Sequence, residues 1–241
     1  GLIITGSGYA AATASTAIGN GTDYTAEQVD AGHKLFLSNC ASCHGKNAEG
    51  TAAAPSLIGV GAASVHFQVE TGRMPGQASG PQLQVKPVQF KQEDIDAMAA
   101  YVASLAPGPE VPTDAYIAQT GNASHGGELF RINCAMCHNA VGAGGALTQG
   151  KYAPSLRNTS AKHIYEAMVT GPQNMPVFSN SNLSPADKTD IITYLQYVQQ
   201  NPSVGGEELG NLGPVAEGLI AWLLMLGGIV VITIWLGAKS N

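Results

Sequence analysis

The stretch NCASCHG at residues 39–45 returns as NCAMCHN at residues 133–139, so the frame Cys-x-x-Cys-His occurs twice in 241 residues. All four cysteines of the chain belong to these two copies: Cys40, Cys43, Cys134 and Cys137. At this spacing two cysteines can form thioether bonds to the vinyl groups of one haem, and the adjacent histidine can bind its iron. The sequence therefore predicts two covalently bound haem c groups, with His44 and His138 as iron ligands.

Other uses of paired cysteines fit the surrounding sequence less well. Thioredoxin-like redox chemistry would require a strand-rich fold around the motif, and the flanking segments contain almost no strand pattern. A zinc site of four thiolates would have to join motifs that are 94 residues apart in separate, complete repeats. A disulfide within each motif would leave the paired histidines unexplained.

The repeat extends beyond the cysteines, which indicates a duplicated domain. The run APSL occurs at 54–57 and again at 153–156, and a Met-Pro pair follows in TGRMPG at 71–76 and in TGPQNMPVF at 170–178. Each copy closes with a segment whose apolar residues recur at helical spacing. The predicted organisation is an apolar N-terminal stub (1–20), two haem-binding domains (21–108 and 109–202), a linker (203–215) and a membrane helix (216–238).

The segments within each copy have the pattern of helices joined by loops rich in glycine and proline, so we predict a mainly α fold. In the first copy, helices are predicted over 25–39, ending at the cysteine motif, and over 91–105. In the second copy, Ser184, Pro185 and Asp187 are start signals for the last helix.

Each copy also places a small residue one helical turn before an aromatic residue. This pattern suits two helices that cross closely, with the aromatic ring wedged against an aromatic residue of the last helix. The residues concerned are Gly32 and Phe36 with Tyr101 in the first copy, and Gly126 and Phe130 with Tyr197 in the second.

A low-spin haem iron needs a sixth ligand, and methionine opposite histidine raises its reduction potential. Met74 and Met175 are the repeat-matched candidates, because each lies in a loop directly before a proline. The other candidates have different surroundings. Met98 and Met168 lie on helix faces that point to the core, and Met136 lies between two cysteines.

The histidines outside the motifs are not predicted to bind the haem irons. His33 and His125 precede their motifs and are predicted to be surface groups. His66 and His163 fall at different distances from the shared Thr-Gly, so they are not equivalent in the repeat. Ligation of either iron by two histidines is therefore not predicted.

A metal-binding histidine also needs its other ring nitrogen held in place. The proline of the APSL run occurs in both copies, as Pro55 and Pro154. Its backbone carbonyl can accept a hydrogen bond, so we predict that these two prolines orient His44 and His138. A role in forming the turn alone is the alternative.

The C-terminal segment GLIAWLLMLGGIVVITIWLGA at 218–238 contains no charged residue. As a helix rising ~1.5 Å per residue, ~21 residues span the ~30 Å hydrocarbon core of a membrane. Trp222 and Trp235 near its ends are typical of interfacial anchors, and Lys239 favours a cytoplasmic C-terminus with the rest of the chain outside. The N-terminal GLIITGSGYA at 1–10 is too short to span, and it resembles the tail of a signal peptide or of a second anchor.

The charge of the chain argues against nucleic acid as a partner. The net charge is -6 at pH 7, and only 12% of the residues are charged. Binding to nucleic acid would call for a basic stripe, which the sequence does not contain. The acidity is concentrated in the first half, where it is either a solvated coat or a face for a basic partner.

Each copy resembles a class I cytochrome c domain in the order of its parts: a Gly-x-x-x-aromatic helix, Cys-x-x-Cys-His, a Pro-x-Leu loop, Met-Pro and an aromatic-bearing last helix. Two such domains followed by one C-terminal anchor resemble the dihaem cytochrome cc subunit of the actinobacterial cytochrome bcc menaquinol reductase. The runs APSLIGVG, TGRMPG and GGALTQGKYAPSL carry this resemblance, which covers residues 25–238.

The resemblance implies an electron carrier within a quinol–cytochrome c reductase, a translocase of the respiratory chain in the cell membrane. Such a subunit takes electrons from a Rieske iron–sulfur protein and passes them to the copper site of a haem-copper terminal oxidase, so that its second haem replaces a diffusible cytochrome c. The anchor would pack against the cytochrome b subunit, where Gly227 and Gly228 would let another helix approach. The alternatives are a cytochrome subunit of another periplasmic dehydrogenase or oxidase complex, and a dihaem peroxidase.

Overall fold

The computed structural model describes residues 24–77, 80–139, 141–201, 209 and 214–239. The predicted N-terminal stub and most of the predicted linker lie outside these residues. The described chain is mainly helical, as predicted, and it divides into two compact units. The first unit joins residues up to Ala118 with Ser160–Lys188, and the second joins Gln119–Thr159 with the residues from Thr189 onward. The domain boundaries proposed from the repeat stay a prediction.

Four helices form the frame of the first copy: α1 (Ala26–Asn39), α2 (Ala41–His44), α3 (Gly61–Glu70) and α4 (Gln92–Leu105). Helix α1 begins with a capping box. The Thr25 hydroxyl accepts from the Gln28 backbone N–H, and the Gln28 side chain accepts from the Thr25 N–H. The starts of α1 and α4 each lie one residue after the predicted starts, and their ends agree with the prediction.

Helices α1 and α4 cross closely because α1 carries Gly32 at the crossing. A Cβ atom on Gly32 would lie 1.9 Å from the carbonyl oxygen of Ala97, so a larger residue does not fit there. The crossing buries Phe36, whose ring centroid lies 5.1 Å from that of Tyr101. The His33 ring stacks on the Tyr101 ring, with 4.7 Å between the two centroids. The predicted crossing of the first copy is therefore present.

The rest of the globular part consists of helices and one short antiparallel hairpin: α5 (Asp114–Ile117), α6 (Ala123–Asn133), α7 (Ala135–His138), β1 (Gly145–Ala146), β2 (Tyr152–Ala153), α8 (Ala161–Thr170) and α9 (Pro185–Gln200). Asn122 caps the start of helix α6, because its side chain accepts from the backbone N–H groups of Ser124 and His125. Helix α9 begins at the predicted signals, because the Ser184 hydroxyl and N–H both donate to the Asp187 carboxylate.

The aromatic packing of the second copy differs from the prediction. Gly126 again permits a close crossing, since a Cβ atom there would lie 1.9 Å from the Asp190 carbonyl oxygen. Phe130 is buried, but its ring partner is Tyr194, at 5.6 Å between centroids. Tyr197, which the repeat indicated for this role, is 58% exposed. The prediction of Tyr197 is wrong because α9 crosses Gly126 at Asp190. This crossing point places Tyr194, one turn before Tyr197, against Phe130.

Three consecutive helical segments end the described chain: α10 (Pro214–Ile220), a π-helical segment (Ala221–Leu226) and α11 (Gly227–Lys239). At the end of the wide segment, the Gly227 N–H reaches back five residues to the Trp222 carbonyl. The part Ala216–Lys239 has 24 residues and is long and apolar enough to cross a membrane. Its apolar side chains are not buried against the described part of the protein, as expected of a helix that faces lipid.

Candidate functional site

The two Cys-x-x-Cys-His motifs adopt the same backbone turn. In the first motif, the N–H groups of Cys43 and His44 both donate to the Cys40 carbonyl, at 3.1 and 2.9 Å. The three equivalent residues of the second motif make the same two bonds at the same distances. Each turn forms a short helix, α2 or α7, directly after the long helix that ends at the first cysteine. All four thiols are free, so none is lost to a disulfide.

A loop of common shape follows each motif and brings a proline carbonyl to the histidine ring. In the first copy the Gly50 N–H donates to the His44 carbonyl at 2.7 Å, with φ at 87°, which glycine adopts without strain. His44 Nδ1 lies 2.8 Å from the Pro55 oxygen, and His138 Nδ1 lies 3.0 Å from the Pro154 oxygen. A carbonyl only accepts, so Nδ1 carries the proton and Nε2 keeps its lone pair. This is the tautomer that a metal-binding histidine requires when Nε2 is the ligand.

Burial shifts the pKa of three groups in the motifs. His44 and His138 are only 7% and 9% exposed. Burial lowers the pKa of His138, and the hydrogen bond to the Pro154 carbonyl opposes this effect only in part. Burial, and in second place the neighbouring thiol of the same motif, raises the pKa of Cys40 and of Cys134 to about 11. At neutral pH these two cysteines are therefore thiols, and His138 favours the neutral form that can bind a metal.

Met74 lies in a loop that folds back toward the first motif. Its N–H donates to the Gln68 carbonyl near the end of α3, at 2.9 Å, and the peptide bond to Pro75 is cis. The Met74 side chain is half-buried and packs, together with Cys40, against one buried cluster formed by Val69, Ile95 and Met98. The structure therefore brings Met74 and the first cysteine to the same patch of the core. Met98 is part of that core, as predicted.

Met175 lies in the loop that follows α8. Its N–H donates to the Pro172 carbonyl at 3.1 Å, and the Phe178 N–H donates to the Met168 carbonyl at 2.8 Å, so the loop is fixed at both ends. Gly171 ends α8 in a left-handed conformation, and a Cβ atom there would lie 2.8 Å from the Met175 oxygen. Met168 is buried. The role of Met175 as a ligand of the second iron stays a prediction.

The donors of each motif fit a covalently attached haem. Two free thiols and one imidazole with its lone pair on Nε2 stand within a single helical turn, and a methionine thioether lies in a fixed loop of each copy. The four cysteines would hold the cofactor, and His44 and His138 would bind its iron. These assignments remain predictions, although nothing in the described geometry conflicts with them.

Sequence reasoning missed a buried ionic cluster. His66 is fully buried, with Nδ1 2.7 Å from a carboxylate oxygen of Glu166, which is fully buried as well. The sequence gives one weak signal of this arrangement. Glu166 interrupts the apolar face that Ile164, Tyr165 and Met168 form on α8.

Comparison with known proteins assigns the family. Residues 29–106 match the family Cytochrome c, and residues 121–195 match the family Cytochrome C oxidase, cbb3-type, subunit III. The chain is 45% identical over 216 residues to the cytochrome bc1 complex cytochrome c subunit of Mycobacterium tuberculosis, covering 87% of this chain and 77% of that protein. The chain belongs to the family of cytochrome bc1 complex cytochrome c subunits.

One further member of this family and one more distant relative are also similar to the chain. The cytochrome bc1 complex cytochrome c subunit of Corynebacterium efficiens is 43% identical over 225 residues, which cover 87% of this chain and 76% of that protein. A cbb3-type cytochrome c oxidase subunit of Rubrivivax gelatinosus is 27% identical over 188 residues, covering 72% of this chain and 55% of that protein.

Membership of the cytochrome bc1 complex cytochrome c subunits confirms the resemblance found in the sequence and the fold of two cytochrome c domains with one C-terminal apolar helix. The two domains imply covalently bound haem c. The family also places the chain in a quinol–cytochrome c reductase complex, so its general role is electron transport.

Proposed function

We propose that this chain is a membrane-anchored dihaem cytochrome that relays electrons from the Rieske iron–sulfur protein of its complex to a haem-copper terminal oxidase. One observation carries the proposal. In both copies the same turn holds two thiols and a histidine whose Nδ1 faces a proline carbonyl. One such site would already accept and donate one electron, and two sites in one chain would let the electron move from the site that meets the donor to the site that meets the acceptor.

The residues of each copy have separate tasks in this proposal. The cysteines would attach two haem groups, a histidine and a methionine of each copy would bind the iron, and a proline carbonyl would orient each histidine. Bound haem supplies reversible one-electron chemistry at iron, and Met/His ligation raises its reduction potential. The residues are Cys40, Cys43, His44, Pro55 and Met74 in domain 1 (21–108), and Cys134, Cys137, His138, Pro154 and Met175 in domain 2 (109–202).

The C-terminal helix supports a position for the chain in its complex. The 24-residue helix would anchor the chain beside the cytochrome b subunit, with both haem domains on the extracytoplasmic side. The positive charge of Lys239 at the end of the helix supports a cytoplasmic C-terminus. The match of residues 121–195 to a family of cbb3-type oxidase subunits supports the link to an oxidase.

The number of haem groups and the direction of transfer can be tested on the complex from native membranes. Intact mass and a pyridine haemochrome assay should give two haem groups per chain. A Cys134→Ser, Cys137→Ser double variant should keep the haem of domain 1 and its reduction by quinol, but lose electron transfer from quinol to oxygen. Ser42→Ala is the matched control, since it changes a motif residue that binds nothing in this proposal.

Three outcomes would contradict the proposal. A chain that carries one haem excludes a dihaem relay. A double variant that retains the wild-type rate of quinol oxidation by oxygen shows that the second site is not on the path. Turnover of hydrogen peroxide by the isolated chain would instead favour a dihaem peroxidase, because that reaction requires an open position on one iron.

A further inference from the structure

A cluster of ionisable side chains joins α3 to α8 within the first unit. Helix α3 contributes His66 and Glu70, and α8 contributes Lys162, His163 and Glu166. The His66 and Glu166 side chains are 0% exposed, whereas the other three keep between 18% and 31% of their side-chain surface exposed. None of these residues belongs to the cysteine motifs or the methionine loops.

On the inner, fully buried side of the cluster, the Glu166 carboxylate lies against the His66 ring. Glu166 Oε1 lies 2.7 Å from His66 Nδ1. Within the part of the chain that the structure describes, neither Glu166 oxygen has a hydrogen bond of regular geometry. A fully buried carboxylate is strongly unfavourable unless a positive charge lies close to it. The cluster therefore needs a positive charge at or beside the His66 ring.

The outer side of the ring shows where that charge belongs. His66 Nε2 lies 2.6 Å from Glu70 Oε2, 2.7 Å from the Lys162 ammonium and 3.2 Å from the Gln92 amide nitrogen. Ammonium and amide nitrogens only donate and require the Nε2 lone pair, whereas a carboxylate only accepts and would require a proton on Nε2, so this nitrogen cannot serve all three neighbours. With the lone pair on Nε2, Nδ1 carries the proton. The same lone pair then faces the Glu70 carboxylate, and two such acceptors repel each other unless a cation lies between them.

We propose that this cluster binds a divalent transition-metal ion of the zinc class through His66 Nε2, Glu70 Oε2 and His163 Nε2. These three atoms all lie within 4.8 Å of one another, and His163 Nε2 is 3.3 Å from Glu70 Oε2. Zinc bonds of about 2.0–2.1 Å to nitrogen and oxygen separate the ligands of a tetrahedron by about 3.3 Å. The ligand atoms therefore need only small movements, and water can fill the fourth position from the exposed side.

Glu166 and Lys162 have supporting roles at this metal site. A carboxylate that accepts from the far N–H of a metal-binding histidine fixes its tautomer and ring orientation. Glu166 Oε1 lies 2.7 Å from His66 Nδ1, and a small rotation of either group would give this contact the geometry of such a bond. The Lys162 ammonium, 4.0 Å from Glu70 Oε2, occupies the place of the ion and can leave it because its stem is partly exposed. Two carboxylates with one ammonium leave one negative charge, whereas two carboxylates with a divalent ion leave none.

The proposal can be tested by titrating Zn²⁺ into the haem-loaded, full-length chain after chelation, with isothermal titration calorimetry. We expect one ion per chain. His163→Ala and Glu70→Gln should each weaken binding by at least about 100-fold, and Glu166→Gln by about 10–100-fold. Lys162→Met should bind more tightly than wild type, because no ammonium competes. His33→Ala is the matched control, since it removes a histidine that stacks on Tyr101 outside the cluster.

The haem absorption spectrum of each variant checks that the chain is folded before Zn²⁺ is added. Substitution by Co²⁺ in wild type should give the visible spectrum of a four-coordinate ion with nitrogen and oxygen ligands. If neither wild type nor Lys162→Met binds Zn²⁺, the cluster is a permanent ion-pair network and the proposal fails. Equal affinity of His163→Ala and wild type would place the bound ion elsewhere and would overturn it as well.

Discussion

Replacing Gly126 by alanine adds a methyl group where α6 crosses α9. The new Cβ atom would lie 1.9 Å from the Asp190 carbonyl oxygen and 2.9 Å from the Ile191 nitrogen. Against an ordinary contact of 3.4 Å, the shortfall is about 1.5 Å (3.4 minus 1.9). Because both contacting atoms belong to the backbone, no side chain can rotate away. The two helices must therefore separate at their closest point.

Two effects of opposite sign act on the Gly126→Ala variant. In a helix interior, alanine is more favourable than glycine by about 1 kcal/mol. Overpacking of a core costs about 1–3 kcal/mol and occasionally more, and a clash with backbone belongs at the upper end. We expect the free energy of unfolding to fall by about 2 kcal/mol, which lowers Tm by at least about 4 °C.

Thermal unfolding of the haem-loaded, full-length chain, followed by far-UV circular dichroism, measures this effect. Gly127→Ala is the matched control in the same helix. Its Cβ atom would lie 3.2 Å from the Tyr194 ring, a side chain that can shift. Its Tm should therefore stay much closer to that of wild type. A Gly126→Ala chain that is as stable as wild type, or more stable, would refute the close crossing, because helix propensity alone predicts stabilisation.

Three other experiments give local tests. Asn122→Ala removes the N-cap of α6 and should lower the free energy of unfolding by about 1 kcal/mol in guanidinium denaturation; an unchanged midpoint would contradict the cap. Met74→His and Met175→His should each lower the reduction potential of one haem. If a redox titration of the variants gave the same two reduction potentials as wild type, these methionines would not be ligands of the irons. In the haem-free chain at pH 8, a maleimide should label exposed Cys43 before Cys40, because a pKa of about 11 leaves only about 0.1% of Cys40 as thiolate. Equal labelling rates would show that Cys40 is not buried without haem.

The parts of the molecule that covalent chemistry and local structure determine could be predicted from the sequence. Thioether attachment of haem requires two cysteines at fixed spacing before a histidine, so the motifs at Cys40 and Cys134 could be recognised as candidate sites without a structure. Helix ends behave similarly, because a cap such as Ser184 acts on neighbouring residues only. The APSL loop lies within twenty residues of its histidine, so a short loop limits where the Pro55 carbonyl can point.

The features that sequence reasoning missed depend on residues far apart in the chain. Apolar periodicity identifies the face of a helix that is buried, but it does not identify the neighbour that this face meets. Tyr194 and Tyr197 lie on successive turns of α9, and only the crossing point decides which one covers Phe130. The contact between His66 and Glu166 joins residues one hundred positions apart, and no local pattern relates them.

The wide turn at Ala221–Leu226 affects how the terminal helix can be recognised by neighbouring helices. Residues advance through a smaller angle per step in this segment than in an α-helix, because each hydrogen bond reaches one residue further. Side chains that would share a stripe along an unbroken α-helix are thus rotated out of line on either side of the segment. A straight neighbouring helix that packs along the part before the wide segment therefore meets a different set of side chains in the part after it. In a membrane, this helix would present a separate contact face to each leaflet, and an apolar helix of equal length without the wide turn would not reproduce both.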